Sequence, residues 1–162
     1  QEHGYDLPKT MHPQVGKRVY DLADERSEEL SAEEVGKVFF EEFVNVSSHM
    51  VLNDYEIDYH SACRGEVACK VIIEVDRVGM SVEGVGNGPI NSFVQGLEKS
   101  GLKDFTLTDY RSHAVRGGSS SDAAAYVQLR KDDGTILWGV GVDPSIEMAG
   151  VKALVCAWNL LR

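Results

Sequence analysis

Two short stretches carry residue types whose spacing could do chemistry. One is Gly84-Val85-Gly86-Asn87-Gly88-Pro89, and 55 residues later comes Gly139-Val140-Gly141-Val142-Asp143-Pro144. In each, Gly-Val-Gly is followed by two residues, a proline and an apolar-periodic segment that predicts a helix. A glycine-paved turn opening a helix gathers free backbone N–H groups at the positive end of the helix dipole, and so attracts an anion. Two such turns in one small domain point to a paired small-molecule site. Pro89 stands where a dinucleotide fingerprint needs its third, close-packing glycine. No Gly-Lys-Ser/Thr follows either, so the stretch is not a P-loop. With no basic residue nearby to balance a phosphate, a carboxylate suits it better. The same residues also fit two tight strand-to-helix corners that hold no ligand.

Other candidates carry less. Asp109 and His113, in Asp109-Tyr110-Arg111-Ser112-His113-Ala114, are an acid and a base four residues apart. On a strand they share a face but lie more than ~13 Å apart, too far for a catalytic pair. That strand instead suits lining a pocket with alternate side chains. Gly117-Gly118-Ser119-Ser120-Ser121 reads as a connection or as a lid over such a pocket. His60-Ser61-Ala62-Cys63 and the scattered His3, His12 and His49 lack metal-ligand spacing. No serine or cysteine nucleophile has an evident base, so these residues describe a binding module and not a catalyst.

The elements that must position the turns follow from periodicity. Residues 1 to about 10 form a polar tether. Val15, Val19, Leu22 and Ala23 recur at helical spacing between Met11 and Arg26. Ser31-Ala32-Glu33-Glu34 is a capping box opening a second helix through Val35, Val38, Phe39 and Phe43. Two short helices cannot enclose a core, so they are expected to dock on something larger. Asn45 to His49 reads as a linker. Strands then follow at Val51–Tyr59, Ala68–Val75 and Met80–Glu83, with Cys69, Val71 and Ile73 on one face. A helix begins at Pro89, carries Ile90, Phe93, Val94 and Leu97, and stops at Gly101.

The pattern then returns. Leu107-Thr108-Asp109-Tyr110 stands 55 residues after Leu52-Asn53-Asp54-Tyr55, and Ala123 stands 55 after Ala68. Strands are predicted at Asp104–Val115, Ala123–Arg130 and Thr135–Val140, with a hairpin at Asp132-Asp133-Gly134. Asp143 and Ser145 both suit capping a last helix through Ile146, Ala149, Ala153, Leu154, Ala157 and Leu161. The expected fold class is α+β. Two pseudo-repeated βββα units span about 50–101 and 105–162, within a domain of 46–162 that follows a helical subdomain of 1–45.

Composition narrows the function classes. The chain of 162 residues has 26 acidic and 16 basic residues, a net charge of −10, which repels nucleic acid and anionic membrane. No stretch approaches the ~20 apolar residues of a membrane span. The odd set Cys63, Cys69 and Cys156, with no CxxC pair, suits reduced thiols in a cytoplasmic protein. The first residues, Gln-Glu-His-Gly, have the look of a piece taken from a longer protein.

Four motifs, in order, resemble one family. Gly86-Asn87-Gly88-Pro89-Ile90, Asp109 to Ala114, Ala123-Ala124-Ala125-Tyr126-Val127 and Trp138 to Pro144 are similar to the C-terminal regulatory domain of 2-isopropylmalate synthases. Ala153-Leu154-Val155-Cys156-Ala157-Trp158-Asn159 is similar to that family's last helix, and residues 4–45 to the helical subdomain before it. Met148-Ala149-Gly150, where the family tends to have Ala-Ser, and Trp158, in place of a smaller residue, are departures.

The resemblance implies a regulatory fragment that dimerises and binds leucine for feedback inhibition. The full enzyme is an acyltransferase that condenses acetyl-CoA with 2-oxoisovalerate at the first committed step of leucine biosynthesis. It does so in a (β/α)8 barrel with a divalent metal ion; this chain lacks that barrel, needs no cofactor of its own and is expected to be inactive alone. The implied effector site comprises Gly86, Gly88, Ile90, Asn91, Leu107, Tyr110, Ala114, Ser121, Val142 and Pro144. Isoleucine binding, as in the sibling citramalate synthases, or a dimerisation module that binds nothing, are the alternatives within this picture. An autonomous phosphate-binding protein is a third class, disfavoured by the missing lysine.

Overall fold

Ser31 begins the better-marked of two N-terminal helices, α1 (His12–Arg26) and α2 (Ala32–Phe43). Its hydroxyl accepts from the Glu34 N–H while the Glu34 carboxylate accepts from the Ser31 N–H, closing the capping box. The computed structural model describes residues 4–59, 65–115 and 121–162. His3, the His60-Ser61-Ala62-Cys63 run and most of the Gly117–Ser121 loop lie outside the described residues.

Two three-stranded antiparallel sheets follow, each completed by a helix. The first is β1 (Met50–Asp58), β2 (Val67–Val75) and β3 (Val78–Gly86), with α3 (Pro89–Lys99). The second is β4 (Phe105–Ala114), β5 (Ala123–Lys131) and β6 (Ile136–Asp143), with α4 (Ile146–Leu160). Both sheets run in sequence order, as consecutive hairpins do. The β2–β3 hairpin turns on Asp76 and Arg77 alone, both at positive φ, so β3 starts two residues earlier than sequence patterning places it. The β5–β6 hairpin uses Gly134 at φ 95°.

The duplication extends to a defect. The pairing register shifts between Leu52 and Asp54 in β1 and between Leu107 and Asp109 in β4, the same place in each unit. In both bulges the aspartate accepts from the next residue's N–H, Asp54 from Tyr55 at 2.9 Å and Asp109 from Tyr110 at 2.8 Å. An extra residue held identically in two strands is a shared feature, because bulges are kept where they re-aim side chains.

One core runs through both units. It contains Val71, Ile73, Val82, Phe93 and Leu97 from the first, and Val127, Leu129, Leu154 and Trp158 from the second. Asn159 on α4, 4% exposed, ties the units together. Its Oδ1 accepts from the N–H groups of His49 and Met50, and its Nδ2 donates to the carbonyls of Val46 and Met50. All four of its hydrogen-bonding positions are used, which is what a buried amide requires. Trp158 lies in this core, with the Arg162 guanidinium 3.7 Å above its ring.

The N-terminal helices dock on the outer face of the second sheet. β5 alternates Ala123, Ala125, Val127 and Leu129 into the shared core, and Ala124 and Tyr126 the other way. Tyr5, Met11, Val15, Phe39 and Phe43 cover that other face together with Trp138 and Val140. Asn45 is no free linker. Its backbone N–H donates to Val140, and its side-chain amide both donates to and accepts from Val142. Gln14 does the same for Trp138.

The Gly-Val-Gly pairs lie inside β3 and β6, not in turns, because the glycines two apart on a strand share the face on which the helix rests. A Cβ at Gly84 would stand 2.0 Å from the Ser92 carbonyl oxygen, and one at Gly141 2.0 Å from that of Ala149. Gly139 meets the Ala157 backbone N at 2.2 Å in the same way. Gly141→Ala is therefore expected to cost about 3 kcal/mol, the upper end for overpacking a tight contact, read as a lowered urea midpoint at unchanged slope.

Candidate functional site: the cleft at the two helix starts

Pro89 supplies the first helical residue of α3, and Gly88 before it is the N-cap, fully extended at φ −175° and ψ 175°. A glycine cap has no side chain to satisfy the first-turn N–H groups, and α3 has no side-chain cap. α4 differs. The Ser145 hydroxyl accepts from the Met148 N–H, and the Asp143 carboxylate accepts from the Ser145 N–H and pairs with Lys152 at 2.7 Å. Burial raises the Asp143 pKa, but Lys152 and the Ser145 N–H outweigh it and hold the group below its ordinary value. The open helix start is thus the first one.

That open start faces a cleft of about 600 Å³, a size suited to a small ligand. Its walls are Asn87 to Asn91 from the α3 start, Leu107 and Tyr110 from β4, Ile146 and Glu147 from the α4 start, and Tyr59 beyond β1. Both helix starts therefore contribute to one cavity. The bulge at Thr108 lies between Leu107 and Tyr110, so these two side chains fall on the same face although three apart in sequence. Gly150 lies against this cleft. A Cβ there would come 2.8 Å from Ile90 Cδ1 and 3.1 Å from the Tyr110 hydroxyl.

The cleft unites Gly88, Ile90, Asn91, Leu107 and Tyr110 of the effector residues that the resemblance implies. Gly86 lies below it, where the Asn91 side-chain oxygen stands 2.2 Å from where its Cβ would be. Ala114 ends β4, and its carbonyl accepts from His113 Nδ1. Val142 packs toward the N-terminal helices, and Pro144 and Ser121 are exposed. Tyr59, Ile146, Glu147 and Gly150 were not singled out from sequence. Only a 55-residue comparison of the two helix starts hints at Ile146, the counterpart of Asn91.

The remaining groups have structural partners. His113 is stacked on Tyr126, and its Nε2 accepts from the Tyr126 hydroxyl and the Asp6 N–H, anchoring the N-terminal segment. Asp109 pairs with Arg111. Burial pushes the Cys69 thiol up and that of Cys156 to about 11, so neither is an active thiolate at neutral pH. Among the described residues no group of three histidine, cysteine, aspartate or glutamate side chains is placed to hold a metal ion. No helix among them is long and apolar enough to cross a membrane.

A pair of βββα units sharing one core, with a cleft where their helices start, defines a duplicated α+β module built around a small-molecule-sized cavity. The chain belongs to the LeuA allosteric (dimerisation) domain family, whose model matches residues 29–162. It is 35% identical to 2-isopropylmalate synthase of Clostridium acetobutylicum over 161 residues, 98% of this chain and 29% of the relative. It is 30% identical to that of Schizosaccharomyces pombe over 94% of the chain and 27% of the relative, and 29% identical to that of Mycobacterium leprae over 98% and 26%. The chain thus spans less than a third of the length of these relatives.

Gly150 is the feature of this cleft most open to test. Its close neighbours are the ends of two movable side chains, so Gly150→Ala is expected to shift the urea midpoint by less than about 1 kcal/mol. The Tyr110 ring signals should move in an NMR spectrum while those of Tyr126 stay in place.

Proposed function

We propose that this chain is the regulatory end of a 2-isopropylmalate synthase, and that it dimerises and binds leucine as feedback effector in the cleft at the two helix starts. The observation that carries the reading is the match of residues 29–162 to an allosteric domain family, in a chain whose α3 start opens, uncapped, into a small-molecule-sized cleft. The leucine carboxylate would lie at the α3 N-terminus, where backbone N–H groups and the dipole favour an anion. Its isobutyl group would lie against Ile90, Leu107, Tyr110 and Ile146, all lining the cleft. The condensation of acetyl-CoA with 2-oxoisovalerate would take place in the part of the protein that lies outside this chain.

Calorimetry with leucine, isoleucine and valine tests this. Saturable heat with leucine is expected; heat with isoleucine alone would move the chain to the citramalate synthases. Silence with all three, beside a stable dimer in sedimentation, would leave a dimerisation module only.

Gly88→Val separates binding from folding. No atom lies within 4 Å of a Cβ at Gly88, and its extended backbone suits any residue. The urea midpoint should change by only a few tenths of a kcal/mol, while leucine affinity falls by at least about 100-fold, or about 2.7 kcal/mol. Normal leucine binding by Gly88→Val would displace the carboxylate from the α3 start.

A further inference from the structure

The leucine reading leaves the amino group of the ligand without a partner, and we propose that Glu147 reads it. On that reading of the cleft, Glu147 makes the site select an α-amino acid over the α-keto acid of the same carbon skeleton.

Glu147 is the one carboxylate among the residues lining the cleft, and no lysine or arginine lines it. It is half-buried in the first turn of α4, and none of the ion pairs among the described residues neutralises it. The open helix start across the cleft is positive and Glu147 is negative. The cavity therefore carries the charge separation of a zwitterion, one pole on each βββα unit.

Two hydroxyls stand by this pole. Tyr59 lines the cleft beside the Glu147 carboxylate. Tyr55, 55 residues before the cleft's Tyr110, has a buried hydroxyl with no hydrogen-bond partner, within electrostatic reach of Tyr59 and Glu147. A buried hydroxyl without a partner is uncommon and costs free energy. An ammonium held at Glu147 brings a positive charge and three donors to this group of acceptors.

A keto acid presents a carbonyl oxygen there instead. It donates nothing to Glu147 and sets acceptor against acceptor, so the carboxylate loses water without gaining a bond. Sites built around a substrate hydrogen bond reject analogues lacking it strongly. A merely structural role is also available to Glu147, since an acid in the first turn stabilises a helix. That role predicts an effect on unfolding and none on the choice of ligand.

The test is calorimetry on the full chain with L-leucine and with its keto analogue, 4-methyl-2-oxopentanoate. The wild type is expected to bind leucine at least about 100-fold more tightly. In Glu147→Gln the ratio should fall toward unity, through weaker leucine binding and not tighter keto-acid binding alone. Glu147→Asp keeps the charge one methylene further back, and should fall between the two. An unchanged ratio in Glu147→Gln, with a lowered midpoint of thermal unfolding, would reduce Glu147 to a helix-start acid and overturn the proposal. Equal binding of both acids by the wild type would overturn it too, and leave the leucine reading standing. Silence of the wild type with leucine, isoleucine and valine would remove both together.

Discussion

A helix can rest on a strand at backbone distance only where no Cβ stands between them. Gly84 and Gly139 meet that condition, each two residues before a further glycine on the same face of its strand. The contact fixes how deep α3 and α4 sit on their sheets. Depth in turn decides where each helix begins, because the chain leaves the glycine strand, crosses two residues and enters the helix at once. Moving either helix outward by the size of a methyl group would carry its first turn away from the cleft. The cavity is therefore a by-product of strand packing as much as of its own lining.

The two units are copies in backbone and have diverged in what they do with it. Their bulges, hairpins and glycine strands correspond at a constant offset, yet α3 begins with a bare glycine cap and α4 with a serine cap backed by Asp143 and Lys152. One helix start is left open to solvent and the other is closed by its own side chains. Tyr55 and Tyr110 occupy equivalent strand positions, but the first has a buried hydroxyl and the second is 39% exposed at the cleft. Duplication supplied a pair of similar half-sites, and side-chain changes made them complementary.

Much of this is legible in the chain before folding, and the parts that are not have physical causes. Helix starts announce themselves locally through Ser31, Pro89 and Ser145, and strand faces through alternation at Cys69, Val71 and Ile73. The repeat is visible because Leu-x-Asp-Tyr returns with its bulge. The role of Gly84 and Gly86 is not visible locally. A glycine pair reads equally as a turn and as a packing face, and only the helix above it decides. Tyr59 and Glu147 escape for a different reason, since 88 residues separate them and no local pattern records that the end of β1 meets the start of α4. Asn45 reads as linker by polarity, and its partner Val142 is too far along the chain to suggest otherwise.

Gln14 and Asn45 occupy the outer margin of β6, each using both ends of a side-chain amide as a backbone group would, at Trp138 and Val142. Between them Asn45 N–H takes the Val140 carbonyl. That margin is finished by the chain's own N-terminal layer, in the manner by which sheets avoid unwanted growth. The second sheet therefore cannot lengthen on that side. A continuous sheet through two copies of this chain would have to join at β1, β3 or β4, and an intruding strand from a misfolded neighbour meets the same barrier.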